Sequence, residues 1–408
     1  MINFSGFITE QKNTHMTHIE DKVLYGGVNG TRQAILALRS LRDMLGGEHD
    51  GNVSIKWDGA PSIFCGTDPS DGKFFVAKKG IFNKNPMVYK TDADIDADTS
   101  GDLAVKLKDA LKYLPALGIK GVIQGDFLFS KSDVSTAKIK GKKYLTFHPN
   151  TIVYALPIDS DGAKAVKSAK IGIVWHTSYT GNTFETMRAS YGVDVSKLKK
   201  TKAVWMQDAM LRDLTNITMS KAETEKVNGH LSQAGFIFNK IAGSTLRHLE
   251  SNQELARLIE QFNNSFVRQG QIIGDSEKHV IALINWISNR YKKEIDKRKS
   301  EKGKATQQKK LDEILSFFSN SNKTSLKYIF DLQKAIVMAK LILINNLNKL
   351  SKVNTFVKTR NGYKVTGEEG YVAIDSIGGD AVKIVDRMEF SYNNFSPDIL
   401  KGWDKPGR

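Results

Sequence analysis

The apolar residues of this chain change rhythm three times, and the changes divide it. Ile35, Leu38, Leu41 and Leu45 recur at three- and four-residue spacing, which predicts a helix capped by Thr31, running through Met44 and stopped by Gly46-Gly47. From residue 53 to about 179 the runs shorten and turn rich in β-branched and aromatic residues, predicting strands at 53–57, 62–66, 73–78, 122–129, 144–147, 151–156 and 171–179. Asp68-Pro69-Ser70-Asp71-Gly72 reads as a hairpin connection, and a helical run at 103–114 interrupts the strands. From about Trp205 to Leu350 the periodicity is helical, with segments at 252–266, 278–299, 307–318 and 326–350. Strands resume at 353–358, at 363–366 after an Asn361-Gly362 turn, at 370–374 and at 381–386. These late strands are too few to form a domain alone. The expectation is an α+β domain of mostly antiparallel sheets, begun in residues 1–205, interrupted by an all-α insertion domain at 206–350, completed by 351–395 and followed by a polar tail at 396–408.

Composition adds a partner class to this outline. With 408 residues, 40% of them hydrophobic, the chain can bury a core without disulfides and is too apolar for wholesale disorder. Lys and Arg number 60 against 44 Asp and Glu, a formal charge of +16, which points to a phosphate-rich partner. More than half of the excess lies between residues 201 and 350. It is densest where Lys292, Lys293, Lys297, Arg298 and Lys299, with Lys302, Lys304, Lys309 and Lys310, surround an expected break at Gly303. Such a run is either a solvated helix end or an arm that contacts nucleic-acid phosphates. The single cysteine, Cys65, excludes a disulfide framework and a multi-cysteine zinc site and is expected in the core. The first residues lack the pattern of a secretory signal, and the longest apolar stretch, 335–350, contains Lys340 and Lys349. A cytoplasmic monomer with no membrane partner is the expectation.

Candidate chemistry begins at Lys56-Trp57-Asp58-Gly59, at the end of one expected strand and just before another. It resembles motif I (Lys-x-Asp-Gly) of the covalent nucleotidyltransferases, the ATP-dependent DNA and RNA ligases and mRNA capping enzymes. In that superfamily the lysine amine attacks the α-phosphorus of ATP, expels pyrophosphate and holds AMP. Later segments are similar to the other motifs of the family, in the same order. Phe74-Phe75-Val76-Ala77-Lys78-Lys79-Gly80 resembles motif Ia, with Lys79 preferred over Lys78 as the basic contact. Val122-Ile123-Gln124-Gly125-Asp126-Phe127 resembles motif III, with Asp126 where the family usually has Glu. Thr151-Ile152-Val153-Tyr154-Ala155-Leu156 resembles motif IIIa, implying Tyr154 as the adenine platform, with Ile173-Val174-Trp175-His176 as the competing segment. Glu368-Glu369-Gly370-Tyr371-Val372 resembles motif IV, and Ala381-Val382-Lys383-Ile384-Val385 resembles motif V. The family's second motif V lysine is absent, and Arg387 replaces it only if the strand runs on unbroken.

The resemblance implies a nucleotidyltransferase (ATP-grasp-like ligase) domain split by the helical unit, the latter peculiar to this chain. It implies Lys56, Asp58 and Lys383 as catalytic residues. Gly59, Lys79, Asp126, Tyr154, Glu369 and Lys383 would hold ATP, and Asp126 and Glu369 would hold Mg²⁺. The implied reaction is sealing of 5′-phosphate to 3′-hydroxyl ends, on RNA rather than DNA, since no β-barrel pattern follows motif V. A DNA nick ligase and a non-catalytic nucleic-acid-binding protein on the same scaffold are the alternatives. The compact core with a helical insertion also resembles proteins of tailed bacteriophages, which would place it in the host cytoplasm. His15, His18 and Asp21 are expected to cap or pack, and Asp92, Asp94, Asp96 and Asp98 to form a solvated acidic loop.

Overall fold

The structure, a computed structural model, describes residues 16–47, 52–211, 219–351, 353–374 and 381–404. Helices α1 (Lys22–Tyr25) and α2 (Gly27–Leu45) come first, followed by strands β1 (Asn52–Lys56), β2 (Ser62–Thr67) and β3 (Phe74–Ala77). Helices α3 (Asp92–Asp98) and α4 (Gly101–Tyr113) lead to β4 (Val122–Ser130), β5 (Ser135–Ile139), β6 (Lys142–Phe147) and β7 (Ile152–Pro157). Helix α5 (Asp161–Ser168) precedes β8 (Ile171–Thr180), β9 (Arg188–Tyr191) and β10 (Val204–Asp208). The helical run is α6 (Lys221–Phe238), α7 (Gly243–Ser251), α8 (Gln253–Arg268), α9 (Ser276–Asp296), α10 (Glu301–Ser316) and α11 (Asn320–Leu347). Strands β11 (Asn354–Thr359), β12 (Gly362–Val365), β13 (Gly370–Ile374) and β14 (Ala381–Ile384) follow, then α12 (Arg387–Phe395) and β15 (Ile399–Leu400).

The strands form three sheets, antiparallel except for the β8–β10 pair. The first sheet has the order β1-β13-β14, the second β10-β8-β4-β2-β3 with β9 on β8, and the third β12-β11-β7-β6-β5 with β15 on β11. β1 pairs with β13 and β7 with β11, so strands from before and after the helical run complete one another. The fold is thus mixed α/β with antiparallel sheets, as the alternation of short apolar runs implies. Apolar residues of α4, such as Leu107 and Ala110, cover one face of the second sheet through Ile63, Cys65, Ile123 and Trp175. Phe129 of that sheet packs with Phe147 of the third and with Trp205.

The helical unit draws in more of the chain than its own segment. Its core includes Ile35, Leu38 and Leu41 of α2 and Tyr371, Val382 and Ile384 of the first sheet. Residues 19–45, expected with the sheet domain, therefore pack with the later helices. Helix α2 also starts earlier than expected: Thr31 Oγ1 donates to the Gly27 carbonyl at 2.7 Å and does not cap. The expected acidic loop is helix α3, closed by a capping box of Thr91 and Asp94. The expected tail contributes a strand, β15, that pairs with β11. Among the described residues no helix is long and apolar enough to cross a membrane.

A buried ionic cluster joins Glu20 and Asp21 to α11 and α12. Lys340 of α11, 1% exposed, donates to both carboxylate oxygens of Glu20 at 2.8 and 2.9 Å, and Arg387 at the start of α12 donates to Asp21 at 2.8 Å. Burial opposes the charge on Glu20, but Lys340 and Arg387 outweigh it and hold the carboxyl well below the usual range. Removing one partner leaves a buried charge uncompensated, so Lys340→Ala is expected to lower the unfolding free energy by about 3–5 kcal/mol in urea titrations. A loss under about 1 kcal/mol would show that the cluster contributes no such anchoring.

Candidate active site

Strand β1 runs between two backbone partners and ends at Lys56. On one edge Lys56 pairs in register with Gly370 of β13. On the other edge Ile55 N–H donates to the Ala209 carbonyl and Leu211 N–H to the Val53 carbonyl, both at 2.8 Å. With its backbone fixed on both sides, Lys56 forms an ion pair with Glu369, the residue that precedes β13, and its side chain keeps 31% of its surface exposed. The amine is therefore both held and reachable.

Each of the next three residues has a spatial task. Trp57 enters the core, its ring centroid 4.8 Å from that of Tyr154 and 6.4 Å from that of Trp205. Asp58 is 4% exposed; one carboxylate oxygen accepts the Thr151 and Ile152 N–H groups at 2.6 and 2.7 Å, and the other accepts the Asn150 amide at 2.6 Å. Burial raises the Asp58 pKa, and these three donors act against that rise. At Gly59 a Cβ atom would stand 2.6 Å from Asp126 Cβ and 3.0 Å from the Phe127 carbonyl oxygen. Only glycine lets this loop lie against β4 at that position.

Charged groups converge around Lys56 from three strands. Lys383, on β14 opposite Val372, has its pKa lowered first by partial burial and then by the charge of Lys56. Glu369 is raised by burial, Lys56 opposes the rise, and the charges of Asp58 and Asp126 add to it. Asp126 on β4 lies 3.7 Å from Nε2 of His176 on β8, and both side chains are partly exposed. Cations and carboxylates thus meet where the first and second sheets join. Behind them lies a small cavity lined by Asp58, Thr151, Glu368, Glu369, Phe390 and Asn393. Glu368 accepts from Ser351 Oγ at 2.6 Å through Oε1, while its buried Oε2 has no partner among the described residues.

The structure brings Lys56, Asp126, Glu369 and Lys383 together, as expected. Three other expectations need correction. Tyr154 is no adenine platform: it is fully buried, its hydroxyl accepts the Asp58 N–H at 2.7 Å, and its ring packs against Trp57 and Phe147. Asp58 has both carboxylate oxygens committed to residues 150–152, which makes it a positioning residue and leaves it no role at the reacting atoms. Arg387 does not share a strand face with Lys383, because β14 ends at Ile384 and Asp386 caps α12 through the Met388 and Glu389 N–H groups.

Lys79 is exposed and opens a 3-10 turn after β3. The registers Phe64–Ala77 and Ser62–Asp126 put it at the Asp126 end of the sheet, two strands or about 10 Å away. Its neighbour Lys78 is committed to Asp98 at 2.7 Å. In the basic run, Lys292, Lys293, Lys297, Arg298 and Lys299 are all exposed. The break falls at 297–300 and not at Gly303, whose N–H is accepted by Ser300 Oγ at 3.1 Å as α10 begins. Arg387 contacts Asn264, whereas Glu254, at the far end of α8, accepts from Tyr291. At 1.5 Å per helical residue, Lys297 lies about 25 Å from Arg387. His15 lies outside the described residues, and Asp21 is engaged by Arg387.

Sequence reasoning does not single out His176 or Glu368. The signal for His176 is one polar ring ending the apolar run 171–175; Glu368 stands beside Glu369, the acid that directly precedes Gly370, and only its burial in the structure draws attention to it. Among the described residues no group of three His, Cys, Asp or Glu side chains is arranged to hold a metal ion by itself. The model of a family of unknown function (DUF6267) matches residues 13–398. No curated protein and no solved structure matches the chain.

Burial pushes Glu368 from 4.5 up to about 7. The folded chain therefore binds this proton more tightly than the unfolded chain, and the resulting stabilisation is complete below about pH 4.5 and lost as pH rises through about 7. Glu368→Gln, which stays neutral, is expected to remove up to about 3 kcal/mol of this decline between pH 4.5 and 8 in urea unfolding. An unchanged pH profile would show that Glu368 titrates normally.

Proposed function

The chain belongs to that family, and we propose that it is an ATP-dependent polynucleotide ligase, acting on RNA ends through a covalent AMP on Lys56. The observation that carries this reading is the Lys56–Glu369 ion pair with Lys383 beside it and Asp126 within reach of its field. An amine that attacks phosphorus must first lose a proton. The Glu369 carboxylate touches the ammonium and holds it in place, and the proton leaves to water at the exposed part of the Lys56 side chain. The Lys56 Nζ–Pα bond then forms as the bond from Pα to the pyrophosphate oxygen breaks, and Lys383 offsets charge on the phosphates. Transfer of AMP to a 5′-phosphate and its displacement by a 3′-hydroxyl complete the sealing.

Asp126 and Glu369 form a two-carboxylate set, which suits Mg²⁺, a cation bound through one or two carboxylates together with substrate phosphates and water. Bound there, it would supply positive charge to the transferring phosphoryl group. Gly59 and Asp58 act on the loop: one admits it to the side of β4, the other ties it to residues 150–152.

Incubation with α-labelled ATP and Mg²⁺ is expected to label the chain with an alkali-stable, acid-labile AMP, absent in Lys56→Ala and formed about a hundredfold more slowly in Lys383→Met. No label on the parent chain, or a label that persists in Lys56→Ala, would sink the enzyme reading and leave a binding protein on this scaffold. Preferential labelling by GTP would replace ligase with capping enzyme. Matched 5′-phosphorylated RNA and DNA substrates then separate RNA sealing from DNA nick sealing.

A further inference from the structure

Helix α12 has two faces with different partners. Its inner face supplies Glu389, Phe390, Asn393 and Asn394 to the cavity beside Glu369. Its outer face carries Tyr392 and Phe395, three residues apart and hence on one side of the helix, with 44% and 63% of their surface exposed. The segment after the helix adds Trp403, 62% exposed. Both segments converge on Thr151: its hydroxyl donates to Asn394 at 3.2 Å and accepts from Lys401 at 2.9 Å, and Gly402 N–H donates to the Asn150 carbonyl at 2.6 Å. The loop that receives Asp58 thus also receives the end of α12 and the segment that carries Trp403.

Cations accompany two of these rings. Lys364 Nζ of the edge strand β12 sits 4.7 Å from the Tyr392 centroid, and the guanidinium of Arg268, at the end of α8, sits 5.5 Å from that of Phe395. Exposed aromatic rings interleaved with cations combine the two contacts that single strands use, base stacking and phosphate neutralisation. An apolar peptide would have no use for the cations, and a duplex keeps its bases stacked inside. The position is also suitable, since the outer face lies one helix diameter, about 10 Å, from the cavity wall.

We propose that Tyr392, Phe395 and Trp403, with Lys364 and Arg268, form a platform for single-stranded nucleic acid leading to the Lys56 site. Its place as the substrate path rests on the ligase reading, whereas strand binding itself does not. The test is fluorescence anisotropy of a 12-nucleotide 5′-phosphorylated RNA on the full chain. Y392A/F395A is expected to weaken binding at least tenfold without lowering the melting temperature, and Y392F/F395Y to retain it. R268Q/K364Q is expected to reduce the salt slope by about 1.4, for two lost phosphate contacts on a single strand. Binding of Y392A/F395A within twofold of the parent, or equal loss of single-strand and duplex binding in that variant, would overturn the platform. The AMP-labelling assay on the same variants keeps the two readings apart. Label on every variant with strand binding indifferent to the rings removes only the platform. Ring-dependent binding with no label on the parent removes only the ligase.

Discussion

The structure depends on the carboxylate of Asp58 and the three donors that surround it. Two backbone N–H groups and one amide, all from residues 150–152, point at its oxygens and join the end of the first sheet to the turn before β7 in the third. Lys56 lies two residues before this anchor and Gly59 one after it, so the anchor sets both the height of the amine and the closeness of the loop to β4. A backbone N–H buried beside an apolar side chain would be left without a partner, and two such losses cost more than any one surface contact contributes. The same turn receives Lys401 and Gly402, so the C-terminal segment is positioned by the residues that position the lysine.

Much of the sheet was legible because its strands announce themselves by short apolar runs and turn residues: β2, β4, β8 and β13 fall within a residue of where alternation puts them. The convergence of Lys56, Asp126, Glu369 and Lys383 was legible through the order and spacing of the motifs. What alternation cannot supply is which of two buried faces a residue occupies. Tyr154 lies on a strand buried on both sides, so its ring, read as a platform, belongs to the core between sheets. Gly303 reads as a break because glycine weakens helices, yet Ser300 starts a new helix three residues earlier and tolerates the glycine in its first turn. The attachment of α1 and α2 to the later helices rests on contacts across the whole chain, which no local period records.

The helical unit carries most of the positive excess, yet it meets the sheet that bears the candidate site mainly through apolar contacts with Tyr371, Val382 and Ile384. Separation of Lys297 from Arg387 by about 25 Å means that a nucleic acid reaching both would span several nucleotides. The small set of charges at the junction of the sheets and the broad field of the helices therefore do different work.

The pairing of β1 with β13, at opposite ends of the sheet-forming sequence, has a consequence for the order in which the protein matures. While the chain is being synthesised, Lys56 emerges early and waits, its strand open on the edge that β13 will fill, until the whole helical run has been made. The helices can pack among themselves in that interval, but the carboxylate that meets the lysine arrives only with the last strands. The Lys56–Glu369 pair is thus withheld from the nascent polypeptide until the residues beyond the helical run have been made.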